Sequence, residues 1–184
     1  MSTYEIALSE SYNAQGNLDL DVILQGFVVH CLSGQIEPEF VRPAWQPVET
    51  GYPDIGVNWV SIGVRHVEPD VTSQNVQVDE STIAVHRHET ITFMASFFGE
   101  GGYTLATLLR EGCTLWQNRV ILQNNGMEIK EVKELVRLPE LVNQQWQNRV
   151  DFTLLLRRHS IRLYESKALA SMGSLTLRSA VNGN

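Results

Sequence analysis

Positive charge is scarce in this sequence. Fourteen lysines and arginines stand against 21 acids, for a net charge of −7. A surface that holds nucleic acid through its phosphates needs a basic patch, so that class of protein is disfavoured. An acidic wall is still compatible with DNA passing close by, because it repels the polymer and lets it slide. Cysteine is nearly absent. Cys31 and Cys113 each sit in an apolar helical pattern, and no CxxC or Cys/His spacing of a zinc site occurs, so both read as reduced, buried thiols. The opening MSTYEIALSE has neither the basic region nor the apolar core of a signal peptide. No apolar run approaches the roughly 20 residues of a membrane helix. The expectation is a soluble protein made in a reducing cytoplasm. Internal repeats and low-complexity tracts are missing as well, which argues against a solenoid.

Catalytic signatures are also missing. There is no GxSxG elbow, and no pair of acids stands out as an acid–base couple. The loop GEGGY (99–103) lies between a strand and a helix but lacks the GxGxxG order and the GK[ST] ending. Glu100 would also repel a phosphate. His86-x-His88 puts two imidazoles on one strand face, as some metal sites require, yet no third His or Cys lies at a telling spacing. A metal-binding enzyme built on His86 and His88 is therefore the weaker alternative. The bland reading is a polar sheet face or a subunit contact. No cofactor, metal site or catalytic residue is expected.

What is present is a globular composition, 43% hydrophobic and 19% charged. It fits a single domain over 1–184, with 1–17 as an N-terminal segment and 167–184 as an arm or tail. Asn17 or Asp19 can cap a helix in which Leu20, Ile23, Leu24, Phe27, Val28 and Cys31 share a face and which stops at Gly34. Gly26 inside it suggests close packing on a neighbour. Pro38, Pro43, Pro47 and Pro53 rule out helix and central strand across 35–55. Phe40, Trp45 and Tyr52 make that stretch an ordered loop whose aromatics pack on the domain or on a partner. Residues 56–70 alternate as a strand, and 71–81 form a hairpin loop at the rim.

The strongest pattern runs from 82 to 124. Ile83, Val85, Ile91, Phe93, Ala95 and Phe97 share a core face that Arg87 and Glu89 interrupt. The prediction is that these two charges lie outside the core of the monomer, near a subunit boundary. Gly99, Gly101 and Gly102 turn the chain into a helix with Leu105, Leu108, Leu109, Gly112, Leu115 and Trp116 along one stripe. A short helical segment follows and stops at Gly126. An edge strand comes next over 127–142, fraying at Pro139, and a second long strand covers 146–166. In that strand the apolar parity slips from Val150, Phe152, Leu154 and Leu156 to Ile161 and Leu163, which predicts a bulge. The basic run Arg157, Arg158, His159 and Arg162 is expected to pair with acids of this or a neighbouring chain. The order α, β, β, α, β, β gives an α+β fold. Its mostly antiparallel, twisted sheet has about four to five strands with helices on one face, plus an extended loop and a C-terminal arm.

Four segments in combination, FVRPAWQP, VNWVSIGV, HETITFMASFFGEGGYTLATLLREGCTLWQNRVIL and ELVNQQWQNRVDFTLLLRRHSIRLY, resemble the phage neck or tail terminator family across residues 40–165. The resemblance implies a virion structural protein without catalytic activity. It implies a homohexameric ring that ends the tail tube and joins it to the head-completion or connector protein of the neck, with genomic DNA passing through its lumen unread. Another head–tail joining or minor tail protein is the near alternative. The partners implied are further copies of the chain, the tail tube protein and the neck connector, with no membrane. The location implied is the virion, after assembly in the host cytoplasm. Arg87, Glu89, Trp45, Arg157, Arg158 and Arg162 are the expected interface residues.

Overall fold

Strand β4 (Thr82–Phe98) is the spine of the fold in the computed structural model, which describes residues 20–45, 51, 53–142 and 144–165. β4 pairs antiparallel along its whole length with β8 (Arg149–Glu165), in one unbroken register from Thr82↔Glu165 to Phe98↔Arg149. On its other side β4 meets β2 (Trp59–Pro69) and, nearer the tip, the four-residue β3 (Gln74–Gln77). β5 (Met127–Arg137) flanks β8, and β1 (Val41–Pro43) runs parallel to β2. The result is a mixed, mostly antiparallel six-stranded sheet in the order β1–β2–β4–β8–β5 with β3 against β4, open rather than closed into a barrel. β6 (Glu140–Val142) and β7 (Gln145–Gln147) form a separate small hairpin. The fold is α+β, as the sequence pattern implies.

Three helices cover one face: α1 (Leu20–Cys31), α2 (Gly102–Gly112) and α3 (Trp116–Gln123). Alternation along the strands sends Ile91, Phe93, Ala95 and Phe97 of β4 and Val150, Phe152, Leu154 and Leu156 of β8 to that face. There they meet Leu24, Phe27 and Val28 of α1, Leu105 and Leu109 of α2, and Leu122 of α3. Phe93, Phe97 and Phe152 lose all their exposure, and each such burial stabilises by roughly 1.5–3 kcal/mol. Asp21 ties α1 to the sheet, its Oδ1 accepting from the Val64 N–H at 3.1 Å. At Gly99, φ is +91° and an added Cβ would lie 2.5 Å from Asn58 Oδ1, so only glycine fits this strand-to-helix turn.

Several expectations need correction. The proline-rich stretch does contain a strand, β1. Pro43 ends it, at a sheet edge where a missing donor costs little. Trp45 is not packed on the domain: it is 81% exposed. Tyr52, Pro47, the helix caps Asn17 and Asp19, and the segments 1–17 and 167–184 lie outside the described residues. A Cβ at Gly26 would meet nothing within 4 Å among the described residues, so no close packing explains it there.

The long helical stripe breaks at Gly112, against which the Cys31 side chain packs and whose carbonyl accepts from Asn118 Nδ2 at 3.0 Å. Leu115 and Trp116 therefore turn outward, and both are exposed. β5 stops at Arg137, and residues after Pro139 fold as the β6–β7 hairpin. The predicted bulge is absent from the β4–β8 ladder. A register shift occurs in β2 between Val64 and His66, and it moves His66 to the face opposite Val64.

Candidate interaction surface

The helices cover only part of the sheet. Past Ile91 and Leu156, the next pair on the core face is Glu89 opposite Arg158. Both are buried, at 5% and 6% exposure. Arg158 Nε donates to Glu89 Oε2 at 3.1 Å and Nη2 reaches the same oxygen, while Arg158 Nη1 is buried without a hydrogen-bond partner. Glu89 thus does not lie outside the core, contrary to expectation. It closes the end of the core by neutralising Arg158, and the two pair within one subunit. The slip in apolar parity has the same origin. Beyond this pair none of the described helices covers the face, so Ile161 and Leu163 fall on the opposite side without any shift in register.

From there β4 and β8 continue as an arm toward Thr82 and Glu165. Seven more residues of β4 span about 24 Å at strand rise. Arg87 is half-buried in this arm, with Ser160 opposite donating from Oγ to its carbonyl at 3.3 Å. Arg162 lies opposite Val85, also half-buried. Arg157 points to the other face, and its Nη2 contacts Asp70 Oδ2 at 2.5 Å. The basic run therefore divides by strand parity: Arg157 and His159 go to one face, Arg158 and Arg162 to the other.

The HxH pair gains a third member that spacing alone did not show. The register sets His159 opposite His88, and His86 Nδ1 lies 3.2 Å from His159 Nε2. The rings stack, with centroids 4.7 Å apart for His88–His159 and 5.2 Å for His86–His159. Burial, then the neighbouring His88 and His86, pushes the His159 imidazolium pKa below its ordinary 6.5. Two rings hydrogen-bond each other and the third stacks, so the nitrogens do not converge on a point. Among the described residues no group of three His, Cys, Asp or Glu is arranged to hold a metal ion.

At the opposite end of the sheet, the face away from the helices opens into a groove of about 950 Å³, lined by Trp45, Ile55, Trp59, Phe98, Arg65 and Arg149 among others. Trp59 stacks on Phe98 at 4.3 Å, and Arg149 forms a two-point pair with Asp151 at 2.8 and 3.0 Å. The β6–β7 hairpin borders this groove and pairs Leu141 with Trp146, which is 71% exposed. Exposed tryptophans on short, rigid elements are typical anchors for partners. Trp146 was not singled out as such because it reads as the first residue of a long strand. The polar QWQN context, in which a large apolar residue has no apolar neighbour at period two, was the available signal.

The site therefore has no catalytic constellation among the described residues. It has a sheet face, an arm and aromatic tips that outrun the core, which is the build of a structural subunit. The chain belongs to the phage neck terminator family, whose model, described as phage neck terminator protein, matches residues 18–177. A search of curated proteins finds no match. Membership gives the chain a structural role in the phage neck and tail and a place in the virion. No described helix is long and apolar enough to cross a membrane.

Proposed function

We propose that the chain forms a ring at the neck-proximal end of the phage tail, where it ends the tail tube and joins it to the head connector. The observation that carries this reading is the family match over residues 18–177. The form of the subunit supports it. The core is complete on the helical face, and the arm, the groove around Trp45 and the Trp146 hairpin are left to meet other chains. Of the expected interface residues, Trp45 and Arg87 suit this role best: Trp45 is 81% exposed and Arg87 lies on the arm, whereas Glu89 pairs with Arg158 and Arg157 holds Asp70. Six copies would carry a summed charge of about −42, consistent with a lumen that DNA crosses without adhering. The role requires no catalysis, and assembly would take place in the host cytoplasm.

Light scattering of the purified chain, with negative-stain images of the chain mixed with tail tubes, tests the proposal. A multimeric mass and rings seated on tube ends are expected. A protein that stays monomeric and never binds a tube end refutes it.

A further inference from the structure

The edges of the sheet are unequally guarded. β5 presents Glu128, Lys130, Glu131, Lys133 and Glu134 and carries two register irregularities, both of which discourage a foreign strand. β2 has its bulge at Val64/His66, and Asp21 occupies the Val64 N–H. β1 ends in Pro43, and β3 is four residues long and fully exposed. The remaining edge is the end of β8. β5 pairs with β8 only as far as Arg158, and the last contact on that side is the His159 N–H donating to the Gly126 carbonyl at 3.1 Å. From 160 to 165, no described strand pairs with that side of β8.

The His159 bond fixes which groups point outward. Backbone polar groups alternate sides along a strand, so the N–H and C=O of Ile161 and Leu163 face the open edge while those of residues 160 and 162 face β4. Ile161 is 49% exposed, and no proline or bulge interrupts the segment. By the usual rules of sheet design this is a ready template for strand addition.

The sequence beyond β8 contains a fitting pattern. After Glu165 come residues 166–184, and in SLTLRSAV (174–181) Leu175 and Leu177 alternate with Thr176 and Arg178. Residues 166–173 form a spacer that reaches at most roughly 26–29 Å when extended. Gly173 is the one tight-turn residue in this spacer, and it lies next to 174–181 rather than next to β8, so the sequence places no tight hairpin turn directly after Glu165. The family match continues to Leu177, beyond the end of β8 and into this stretch.

We infer that the open edge of β8 at 160–165 receives residues 174–181 of a second copy of this chain, by strand addition. This rests on the ring assembly proposed above. Around a closed ring each copy would give one strand and accept one, a heterologous contact of the kind that closes rings.

The test uses the full-length chain with photoreactive p-benzoylphenylalanine at position 161, assembled from equal parts of ¹⁵N-labelled and unlabelled subunits. After irradiation and trypsin digestion, the expected adduct joins position 161 to peptide 168–178, and about half of the adducts link one heavy and one light chain. Adducts confined to chains of one label would mean that each subunit covers its own edge, and would overturn the inference. Assembled rings that yield adducts only elsewhere overturn it while leaving the ring proposal standing, whereas a wild-type chain that never assembles overturns both. A second variant, Ile161→Pro, removes the outward N–H without taking a donor from the β4 ladder. Assembly at least tenfold weaker, with an unchanged far-UV spectrum, is expected. Assembly at the wild-type concentration would show that the edge is not used.

Discussion

Removing the carboxylate of Glu89 should be among the most damaging single changes available in this subunit. In Glu89→Ala the Arg158 guanidinium stays in place at 6% exposure, with Nη1 already unpartnered and Nε and Nη2 newly so. A buried charge left without its counter-charge typically costs about 3–5 kcal/mol. For a chain of this length each kcal/mol moves the melting temperature by about 2–4 °C, so the expected fall is roughly 6–20 °C. Replacing both partners, Glu89→Leu with Arg158→Met, should recover most of this loss, because an apolar pair needs no neutralisation and such swaps are often neutral or stabilising. Thermal and urea unfolding followed by far-UV circular dichroism compares wild type, Glu89→Ala and the double variant. Protein concentration must be held constant, since assembly would itself raise the apparent stability. A loss of less than about 1 kcal/mol in Glu89→Ala, the range of a surface pair, would refute the reasoning by showing that water reaches the guanidinium.

Three further outcomes are expected. His159 has its pKa pushed down from 6.5, so the unfolded chain binds the proton more tightly; stability is full above pH 6.5 and falls as the pH drops below it. His159→Gln should flatten that part of the stability–pH profile, and a slope unchanged from wild type would count against the cluster. Gly99→Ala forces a Cβ to 2.5 Å from Asn58 Oδ1 and 2.7 Å from the Val57 carbonyl in a left-handed backbone, and should destabilise by about 1–3 kcal/mol in urea titration. Trp45→Ala, at an exposed site, should leave the melting temperature within a degree or two of wild type. In tube-end binding by negative stain it should lower occupancy severalfold; binding equal to wild type would remove Trp45 from the interface.

The elements legible in the sequence were those encoded locally. β4 announces itself through sixteen alternating residues, and the glycines at 99, 101 and 102 mark its turn into α2. What escaped depended on partners distant in the chain. β1 exists because β2 offers it an edge, and its prolines argued the other way. The slip of apolar residues in β8 was read as a bulge because a local pattern cannot show where the covering helices end. The place of Glu89 followed from the same blindness: a lone acid on a core face looks misplaced until the register sets Arg158 opposite it. His159 joined His86 and His88 through a pairing more than seventy residues apart, beyond the reach of any spacing rule. The β6–β7 hairpin was hidden because its two strands are three residues each, too short to show a period of their own.

The two thiols have a practical consequence. Cys31 and Cys113 both have pKa values pushed up to about 12, chiefly by burial. At neutral pH only about one in 10⁵ would be ionised, and the thiolate is the form that oxidants and alkylating agents attack. A chain carried from reducing conditions into air would resist chemical change at either sulfur. The same silence makes the native chain a clean background for labelling, in which any single cysteine placed on the arm or beside Trp45 would be the one that reacts.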